Sequence, residues 1–326
     1  MDKRQKTEWP KTLLQATRYF SNLDNCQNFL VALRWPDGVT CPICGSKDVG
    51  YLSTRRLWKC KVDHALRQFS IKKGSIFEDS PLGLDKWMLA MWLIINCKNG
   101  VSSYEVARDL QVKQQTAWFM LHRIRKAMTQ GTFDKPMGED GGEIEADESF
   151  IGGLARNMHK ADRARKIKGT GGSGKQIVMG LFDRKSGKVR VRHVPDVRHE
   201  TLKAHIREHV APGATVNTDE WTGYSGIERE YLHKVINHTE SYVRGSVTTN
   251  RIENFWSCLK RTLKGTYISV EPFHLHRYLD EQAFRFNERK NDDGDRGRFV
   301  EAAVNVFGQR LMYKDLTGHG QTPATT

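Results

Sequence analysis

The sequence predicts a multidomain α/β protein, in which a small zinc ribbon and a helical region precede a larger domain of strands and helices. Three observations lead to this prediction. Cysteine and histidine cluster in the first third of the chain, a helix-turn-helix pattern follows, and strands then alternate with helices. A chain of 326 residues is long enough for two or three domains with a sizeable core.

The composition favours a polyanionic partner. The net charge is +14, which points first to nucleic acid and second to an anionic membrane. The longest apolar run, residues 87–95, is half of the ~20 residues that a membrane span needs, so we expect a buried helix and no membrane contact. The N-terminus has no apolar segment typical of a secretory signal, and six cysteines make no disulfide framework. We therefore expect a cytoplasmic protein.

Four potential metal ligands have the spacing of a structural zinc ribbon. Cys41 and Cys44 form a Cys-x-x-Cys pair, and Cys60 and His64 follow after a gap of 15 residues. Thiolate and imidazole ligands suit tetrahedral Zn²⁺, and four protein ligands leave no open position for chemistry. Asp63 occupies the position at which a second Cys-x-x-Cys would place its cysteine. We expect His64 to be the fourth ligand and keep Asp63 as the alternative.

A helix-turn-helix is predicted next. Residues 84–97 are expected to form a helix, Ser102 or Ser103 caps a second one, and Gln111 begins the turn to a third. Apolar residues then recur with the helical period from Ala117 to Met128. An ordinary helical hairpin is the alternative. In the helix-turn-helix interpretation, the last helix offers DNA the side chains of Lys113, Gln114, Gln115, Thr116 and Arg123.

Strands and helices alternate in the second half of the chain. From residue 143 onward, apolar Ile144 and Ala146 alternate with Glu145 and Asp147, which predicts a strand ending in carboxylates. Two more strands follow, joined by a Lys-Ser-Gly turn. The pattern then predicts a helix over 200–210, strands over 214–219 and 233–237, a helix over 251–265 closed by Gly265, and a helix after residue 274 that packs on the core.

Three carboxylates in this half have the order expected of a two-metal site. Asp147 and Asp219 are expected to end strands, and Glu253 lies on a later helix. Carboxylate oxygens hold Mg²⁺ (or Mn²⁺) ions ~4 Å apart, one activating the attacking oxygen and the other stabilising the leaving one. Lys260, seven residues after Glu253, lies on the same helix face and can position a substrate phosphate. Each acid alone is more readily a solvated surface residue, and the set carries the prediction.

Three other patterns in the sequence have possible functional interpretations. Residues 169–176 resemble a phosphate-binding loop, but a strand follows them and Gln176 replaces the Ser or Thr that binds Mg²⁺. We interpret this stretch as a basic connector on the DNA backbone, with Lys166, Lys168 and Lys175 as contacts. His205 and His209 have the i, i+4 spacing of metal ligands, without a third ligand to make a site. Arg285 and Arg289 are expected to face DNA.

Five segments of the sequence together resemble a known family. The segments RWPDGVTCPICGS, ADESFIGG, NTDEWTGY, NRIENFWSCLKRTLKGTY and HLHRYLDEQAFRFNER are together similar to bacterial insertion-sequence transposases of the DDE superfamily, in the ISXO-like group. The resemblance covers residues 20–315. It implies a ribonuclease-H-like mixed-sheet catalytic core, with Asp147, Asp219 and Glu253 as metal ligands and Lys260 beside them.

The resemblance also implies the activity. A transposase of this kind binds the terminal inverted repeats of its element, cleaves a strand, and joins the 3′-OH to target DNA, as a homodimer or larger synaptic complex on the nucleoid. Two alternatives stay open: a catalytically silent DNA-binding regulator, and a metal-dependent nuclease that does not join strands. The predicted organisation is an N-terminal helical segment (1–36), zinc ribbon (37–80), helix-turn-helix (81–135), catalytic domain (136–315) and disordered tail (316–326).

Overall fold

A computed structural model of the chain describes residues 9–129, 135–152, 159–161, 174–219, 222–236 and 249–318. Internal contacts divide the chain into two compact units. Residues 1–131 and 288–326 form one, which we call the ribbon unit, and residues 132–287 form the other, the sheet unit. The catalytic domain predicted for 136–315 extends beyond the end of the sheet unit, and the predicted domain boundaries stay predictions. Most of the glycine-rich connector, and the tail from residue 319 onward, lie outside the described residues.

The ribbon unit combines a small antiparallel sheet with helices from both ends of the chain. Its elements are α1 (Leu13–Phe20), α2 (Leu23–Arg34), β1 (Val49–Leu52), β2 (Leu57–Cys60), β3 (Gln68–Phe69), α3 (Leu84–Asn96), α4 (Ser103–Leu110) and α5 (Gln114–Ala127). The rings of Phe20, Phe29 and Trp92 pack against Phe299, with centroids 5.1 to 5.5 Å apart. This aromatic core ties the early helices to a late segment of the chain.

The helix pair α4–α5 occupies the region in which the sequence predicts a helix-turn-helix. Ser102 and Glu105 form a capping box at the start of α4, because each side chain accepts a hydrogen bond from the other's backbone N–H. Gln111 ends α4 in the left-handed conformation, with φ of 51°. The chain turns there, and α5 begins three residues later. The apolar residues of α5 face inward, and Ala117, Leu121 and Ile124 are buried.

The sheet unit is built on a mixed five-stranded sheet in the order β6-β5-β4-β7-β8 among the residues described. Its strands are β4 (Glu143–Ile151), β5 (Gln176–Asp183), β6 (Lys188–Val194), β7 (Thr215–Asp219) and β8 (Leu232–Ile236). Strands β4, β5 and β6 pair antiparallel, whereas β4, β7 and β8 pair parallel. Counted along the unit, this order is 3-2-1-4-5, the arrangement of a ribonuclease-H-like sheet, as predicted.

Helices cover both faces of this sheet. They are α6 (His199–His209), α7 (Asn250–Thr262) and α8 (Leu275–Asn287); two helices of the ribbon unit follow, α9 (Gly294–Val304) and α10 (Tyr313–Leu316). Helix α6 packs with Ile144 and Ala146 of β4 on one face. Helices α7 and α8 pack on the other face, with Val178 and Phe182 of β5. The alternation of strand side chains therefore decides which helix each residue of β4 meets.

Two element boundaries differ from the sequence prediction. Strand β4 does not end at its carboxylates, because it stays paired with β5 as far as Ile151 opposite Gln176. Asp147 accordingly lies in the middle of a strand, while Asp219 ends β7 as predicted. Gly265 does not close helix α7 either. The chain continues beyond Thr262 as a π-helical turn over Leu263–Tyr267, with Gly265 inside it.

Candidate functional site

Two of the predicted catalytic acids lie on neighbouring strands of the sheet. Strands β4 and β7 run parallel, with Glu145 in register with Asn217. Two residues further along, the same register brings Asp147 beside Asp219. Neighbours in register on parallel strands point to the same face and lie ~4.8 Å apart. The sheet therefore sets these two carboxylates side by side.

Helix α7 adds the third acid. Gly180 of β5 lies directly opposite Asp147, and a Cβ built there would meet the ring of Trp256 at 2.7 Å. The missing side chain lets α7 approach the sheet closely, and the indole Nε1 of Trp256 donates a hydrogen bond of 2.9 Å to Oδ2 of Asp147. Glu253 precedes Trp256 by three residues and lies on the same side of the helix. Its Oε1 accepts a hydrogen bond of 3.0 Å from the Thr249 hydroxyl.

The electrostatics of Asp147 reflect this convergence of carboxylates. The pKa of Asp147 is raised to about 6, mainly by burial and in part by the negative charges of Asp219 and Glu253, although the hydrogen bond from Trp256 lowers it. Asp219 and Glu253 are therefore near enough to Asp147 for their charges to act on it. Carboxylate oxygens are the ligands that Mg²⁺ and Mn²⁺ prefer.

A further carboxylate fixes the start of α7. Glu145 is fully buried, and its Oε2 accepts hydrogen bonds from the backbone N–H groups of Arg251 and Ile252, at 2.9 and 3.1 Å. Its Oε1 accepts one from Nε of Arg184, at 2.8 Å. Carboxylates stabilise helix N-termini because they satisfy free N–H groups and complement the helix dipole. The sequence placed Glu145 on the same strand face as Asp147, but it gave no sign of the contact with α7.

Glu148 was also missed. It points to the face opposite Asp147, where the buried hydroxyl of Tyr224 donates a hydrogen bond to it. Burial raises the pKa of Glu148 to about 7, and the charges of Asp147 and Asp219 add to the effect, against the hydrogen bond from Tyr224. The site thus contains a fourth acid whose partner is a core tyrosine.

Lys260 is exposed, as its predicted role requires. It lies within the continuous helix α7, seven residues after Glu253. Seven residues are nearly two full turns, so both side chains lie on one face, ~10 Å apart along the axis. An exposed ammonium group at that distance is within reach of a phosphate that extends beyond the carboxylates.

The zinc ligands of the ribbon unit converge as predicted. The ligand atoms of Cys41, Cys44, Cys60 and His64 all lie within 4.8 Å of one another. Sγ of Cys41 is 3.5 Å from Nε2 of His64, and Sγ of Cys44 is 3.6 Å from Sγ of Cys60. Zn–S bonds of ~2.3 Å and Zn–N bonds of ~2.0 Å give tetrahedral edges of about 3.5–3.8 Å. The donors are therefore spaced for zinc.

His64 and not Asp63 completes this set. The Asp63 side chain is 95% exposed and pairs with Arg67. Gly45 turns the chain after the first pair with φ of 73°, and its N–H bonds the carbonyl of Cys41. Although burial opposes it, the backbone N–H groups of Cys44 and Ile43 lower the pKa of Cys41 to about 7. This favours the thiolate that zinc requires.

The predicted DNA contacts on α5 differ in how far they are exposed to solvent. Lys113 and Gln115 are exposed at the start of the helix. Gln114 donates a hydrogen bond of 2.8 Å to the Ser103 hydroxyl and so links the two helices of the pair. Thr116 lines a cleft of about 400 Å³ together with Gln115 and residues 79–82. Lys113 and Gln115 are thus the accessible members of this set.

Two of the predicted DNA contacts are wrong, because their guanidinium groups are buried. Arg123 is 5% exposed and donates hydrogen bonds to the carbonyls of Ile76, Glu78 and Leu311. Arg285 is 7% exposed and pairs with the fully buried Glu281. Each arginine satisfies acceptors inside its own unit, so neither faces DNA.

The remaining predicted contacts are on the surface or outside the described residues. Arg289 is exposed in a short 3₁₀ turn, and Lys175 is half-buried just before β5. Lys166 and Lys168 lie outside the described residues. Helix α3, which contains the longest apolar run, is largely buried, as expected. Within the described part of the chain, no helix combines the length and apolar character that a membrane crossing demands.

The zinc ribbon and the five-stranded sheet each overlap a segment that matches a family of transposase domains. Residues 140–287 match the model of the ISXO2-like transposase domain, and residues 22–62 match that of the transposase zinc-ribbon domain. Both matches fall on the segments that carry the resemblance seen in the sequence, and they confirm that resemblance.

Two comparisons place the chain among known proteins. It is similar to an uncharacterized protein in transposable element ISH50 of Halobacterium salinarum, at 26% identity over 251 residues, which are 72% of this chain and 81% of the relative. Among solved structures it is similar to a chain of the simian T-cell lymphotropic virus intasome in complex with PP2A regulatory subunit B56 gamma, at 14% identity and a TM-score of 0.27. That match covers 55% of this chain and 63% of the other, less than two thirds of its length.

Proposed function

We propose that this transposase uses Asp147, Asp219 and Glu253 to bind Mg²⁺ or Mn²⁺ and to cleave and rejoin DNA. The observation that carries the proposal is the convergence of these three acids, with Asp147 oriented by Trp256. Their mutual repulsion, part of the raised pKa of Asp147, is what a bound divalent cation would offset. Bound there, the metal would supply the Lewis acidity that phosphodiester hydrolysis and transesterification require.

In this proposal the protein positions its ligands and the DNA. Trp256 holds Oδ2 of Asp147, and Oδ1, which accepts a hydrogen bond of 2.8 Å from the backbone N–H of Glu148, would offer its second lone pair to the metal. Glu145 fixes the start of α7 and with it the position of Glu253. Lys260 contacts a phosphate beyond the site of reaction. Hydrolysis by water breaks a P–O3′ bond at the end of the element and leaves a 3′-OH and a 5′-phosphate. The 3′-OH would then attack a target phosphodiester, form a new P–O3′ bond and release the 3′-OH of the target strand.

DNA binding is assigned to the ribbon unit and to exposed basic residues. Lys113 and Gln115 at the start of α5 would reach into the major groove, and Arg289 and Lys175 would contact phosphates. Lys166 and Lys168 are proposed as further phosphate contacts on the strength of the sequence. The net charge of +14 supports double-stranded DNA, both inverted repeats and target, as the partner. Because two ends must be joined at once, we propose a homodimer or larger synaptic complex, acting on the nucleoid.

The test is a transposition assay with a matched pair of variants. Purified protein and Mg²⁺ are incubated with a plasmid that carries the DNA flanking the gene, and new junctions are sequenced. Glu253→Gln removes a proposed ligand, and Glu301→Gln makes the same change on an exposed residue of α9. We expect junctions with the wild type and with Glu301→Gln, and none with Glu253→Gln.

The other outcomes separate the two alternatives. Retarded but uncut DNA would favour a regulator derived from a transposase, and would contradict catalysis. Cuts without junctions would favour a nuclease that does not join strands. Equal junction counts for Glu253→Gln and Glu301→Gln would remove Glu253 from the proposed site.

A further inference from the structure

We propose that the last turn of α6 is a second metal site, in which His205, Glu208 and His209 bind a divalent transition metal such as Zn²⁺, Co²⁺ or Ni²⁺. One ligand atom from each of these residues lies within 4.8 Å of the others. The i, i+3, i+4 spacing brings all three to one side of the helix. Two imidazoles and one carboxylate are a donor set that these metals accept, with water completing the shell.

The two histidines have buried ring nitrogens without hydrogen-bond partners. His205 is 3% exposed, and neither of its ring nitrogens has a hydrogen-bond partner. Nδ1 of His209 is also buried without a partner. Buried polar atoms are nearly always paired, so these nitrogens lack the interaction that would offset their burial. A metal ion would supply that interaction to one nitrogen of each ring, because a neutral imidazole has a single lone pair and its other nitrogen carries a proton.

The two imidazole rings lie next to each other, one helical turn apart at the end of α6. The rings already stand at an angle of 76° with centroids 4.6 Å apart.

Glu208 completes the set from the solvent side. Its Oε2 accepts a hydrogen bond of 2.8 Å from Arg192, whereas its Oε1 lies 4.0 Å from Nε2 of His209. Arg192 thus orients the carboxylate by one oxygen and leaves the other toward the histidines, as residues around metal ligands commonly do. The positive charge of Arg190 and Arg192 opposes a cation. Glu208 and the negative end of the α6 dipole, at which His209 is the last residue, act against that charge.

The site is distinct from the catalytic acids. Helix α6 packs on the sheet face of Ile144 and Ala146, and Asp147 points to the other face, toward α7. The donors also differ, since imidazole ligands select transition metals over Mg²⁺. A metal here would fix the C-terminal turn of α6, and the proposal does not depend on DNA cleavage.

Cobalt titration of the full-length protein, purified with zinc in its ribbon, tests the site. We expect about one additional equivalent of Co²⁺ with weak d–d bands and no thiolate charge-transfer band, because this site has no cysteine. His205→Leu removes a ligand and two unpaired buried nitrogens. It should therefore abolish the added equivalent, and without added metal it should melt at a higher temperature than the wild type. His199→Leu, at the exposed start of the same helix, is the matched control and should bind cobalt as the wild type does.

The outcomes that overturn the proposal are equally direct. Equal cobalt binding by wild type and His205→Leu, or a strong thiolate band from exchange into the ribbon alone, would exclude the site. If His205→Leu does not fold, His209→Ala at the end of the helix replaces it. Cobalt binding by His209→Ala with the affinity of the wild type would overturn the proposal in the same way.

Discussion

Gly180 offers a direct test of how the sheet positions helix α7. A methyl group added there would lie 2.7 Å from Cζ2 and 2.8 Å from Cη2 of Trp256, and 2.8 Å from Cδ1 of Ile252. Ordinary contacts between carbon atoms are ~3.5–4.0 Å. Gly180→Ala therefore requires a shift of roughly 0.8 Å between strand and helix. The indole cannot turn away freely, because it is buried and its Nε1 bonds Asp147.

The shift should affect both stability and catalysis. Overpacking of a close-packed contact costs about 1–3 kcal/mol of unfolding free energy. Glu253 moves with the helix, whereas Asp147 and Asp219 stay with the sheet. Because a misplacement of ~1 Å can reduce a rate by ~100-fold, we expect strand transfer by Gly180→Ala to fall by about 10- to 100-fold. DNA binding should be unchanged, since Gly180 lies beneath the acids and contacts no proposed DNA ligand.

Gly265→Ala is the matched control, because a Cβ at Gly265 meets nothing within 4 Å. The assay measures strand-transfer rate, DNA retardation and urea denaturation for both variants. Ile252→Ala combined with Gly180→Ala should recover part of the rate by making room for the methyl group. The reasoning is refuted if Gly180→Ala transfers strands at the rate of Gly265→Ala while both are folded.

Three further predictions concern Glu145, Cys44 and Asp147. Glu145→Gln should lower the unfolding free energy by about 2–4 kcal/mol, because it leaves Arg184 less well paired and weakens the cap on α7; urea denaturation measures this, and a change below ~0.5 kcal/mol would contradict it. Cys44→Ser should remove about one equivalent of zinc per chain, measured by mass spectrometry, and lower the melting temperature; an unchanged zinc content would exclude Cys44 as a ligand. The raised pKa of Asp147, about 6 against an ordinary 3.8, means that the metal-free fold binds this proton more tightly than the unfolded chain. The stability that this proton contributes is complete below pH ~4 and is lost as the pH rises through ~6. Asp147→Asn should therefore stabilise the metal-free protein at pH 8 by up to about 3 kcal/mol. Mg²⁺ should no longer raise the melting temperature of this variant. Equal melting temperatures at pH 8 without metal would contradict this.

The sequence predicted the features that depend on local spacing. The zinc ligands and the capped start of α4 each lie within a short segment, so their residue types and separations determine them. The structure also decided the alternative that the sequence left open, since the spacing allowed Asp63 or His64 and only the fold shows which side chain reaches the thiolates. The acids Asp147, Asp219 and Glu253 were selected because their order along the chain matches a known pattern, and their catalytic role stays a prediction.

The sequence did not predict contacts that form only when distant segments pack. Arg123 and Arg285 lie on amphipathic helices among polar residues, where a basic side chain normally faces solvent. The partners of Arg123 are main-chain carbonyls about 45 or more residues away, which nothing local indicates. Glu281 is only four residues from Arg285, but its complete burial depends on the packing of the whole helix. Glu145 and Gly180 were missed for the same reason, because their partners lie on α7, about 70 or more residues away.

Strand β4 holds helix α7 at two points, and this explains how the third acid is positioned. Glu145 binds the N–H groups of the first turn of α7, and Asp147, two residues later on the same face, binds Trp256 in its second turn. Two contacts along one helix fix its tilt as well as its position, which one contact cannot do. Glu253 lies between them, so the sheet determines the place of all three acids. Such a clamp is needed because the acids repel one another without metal, and a loosely held helix would relieve that repulsion by moving away.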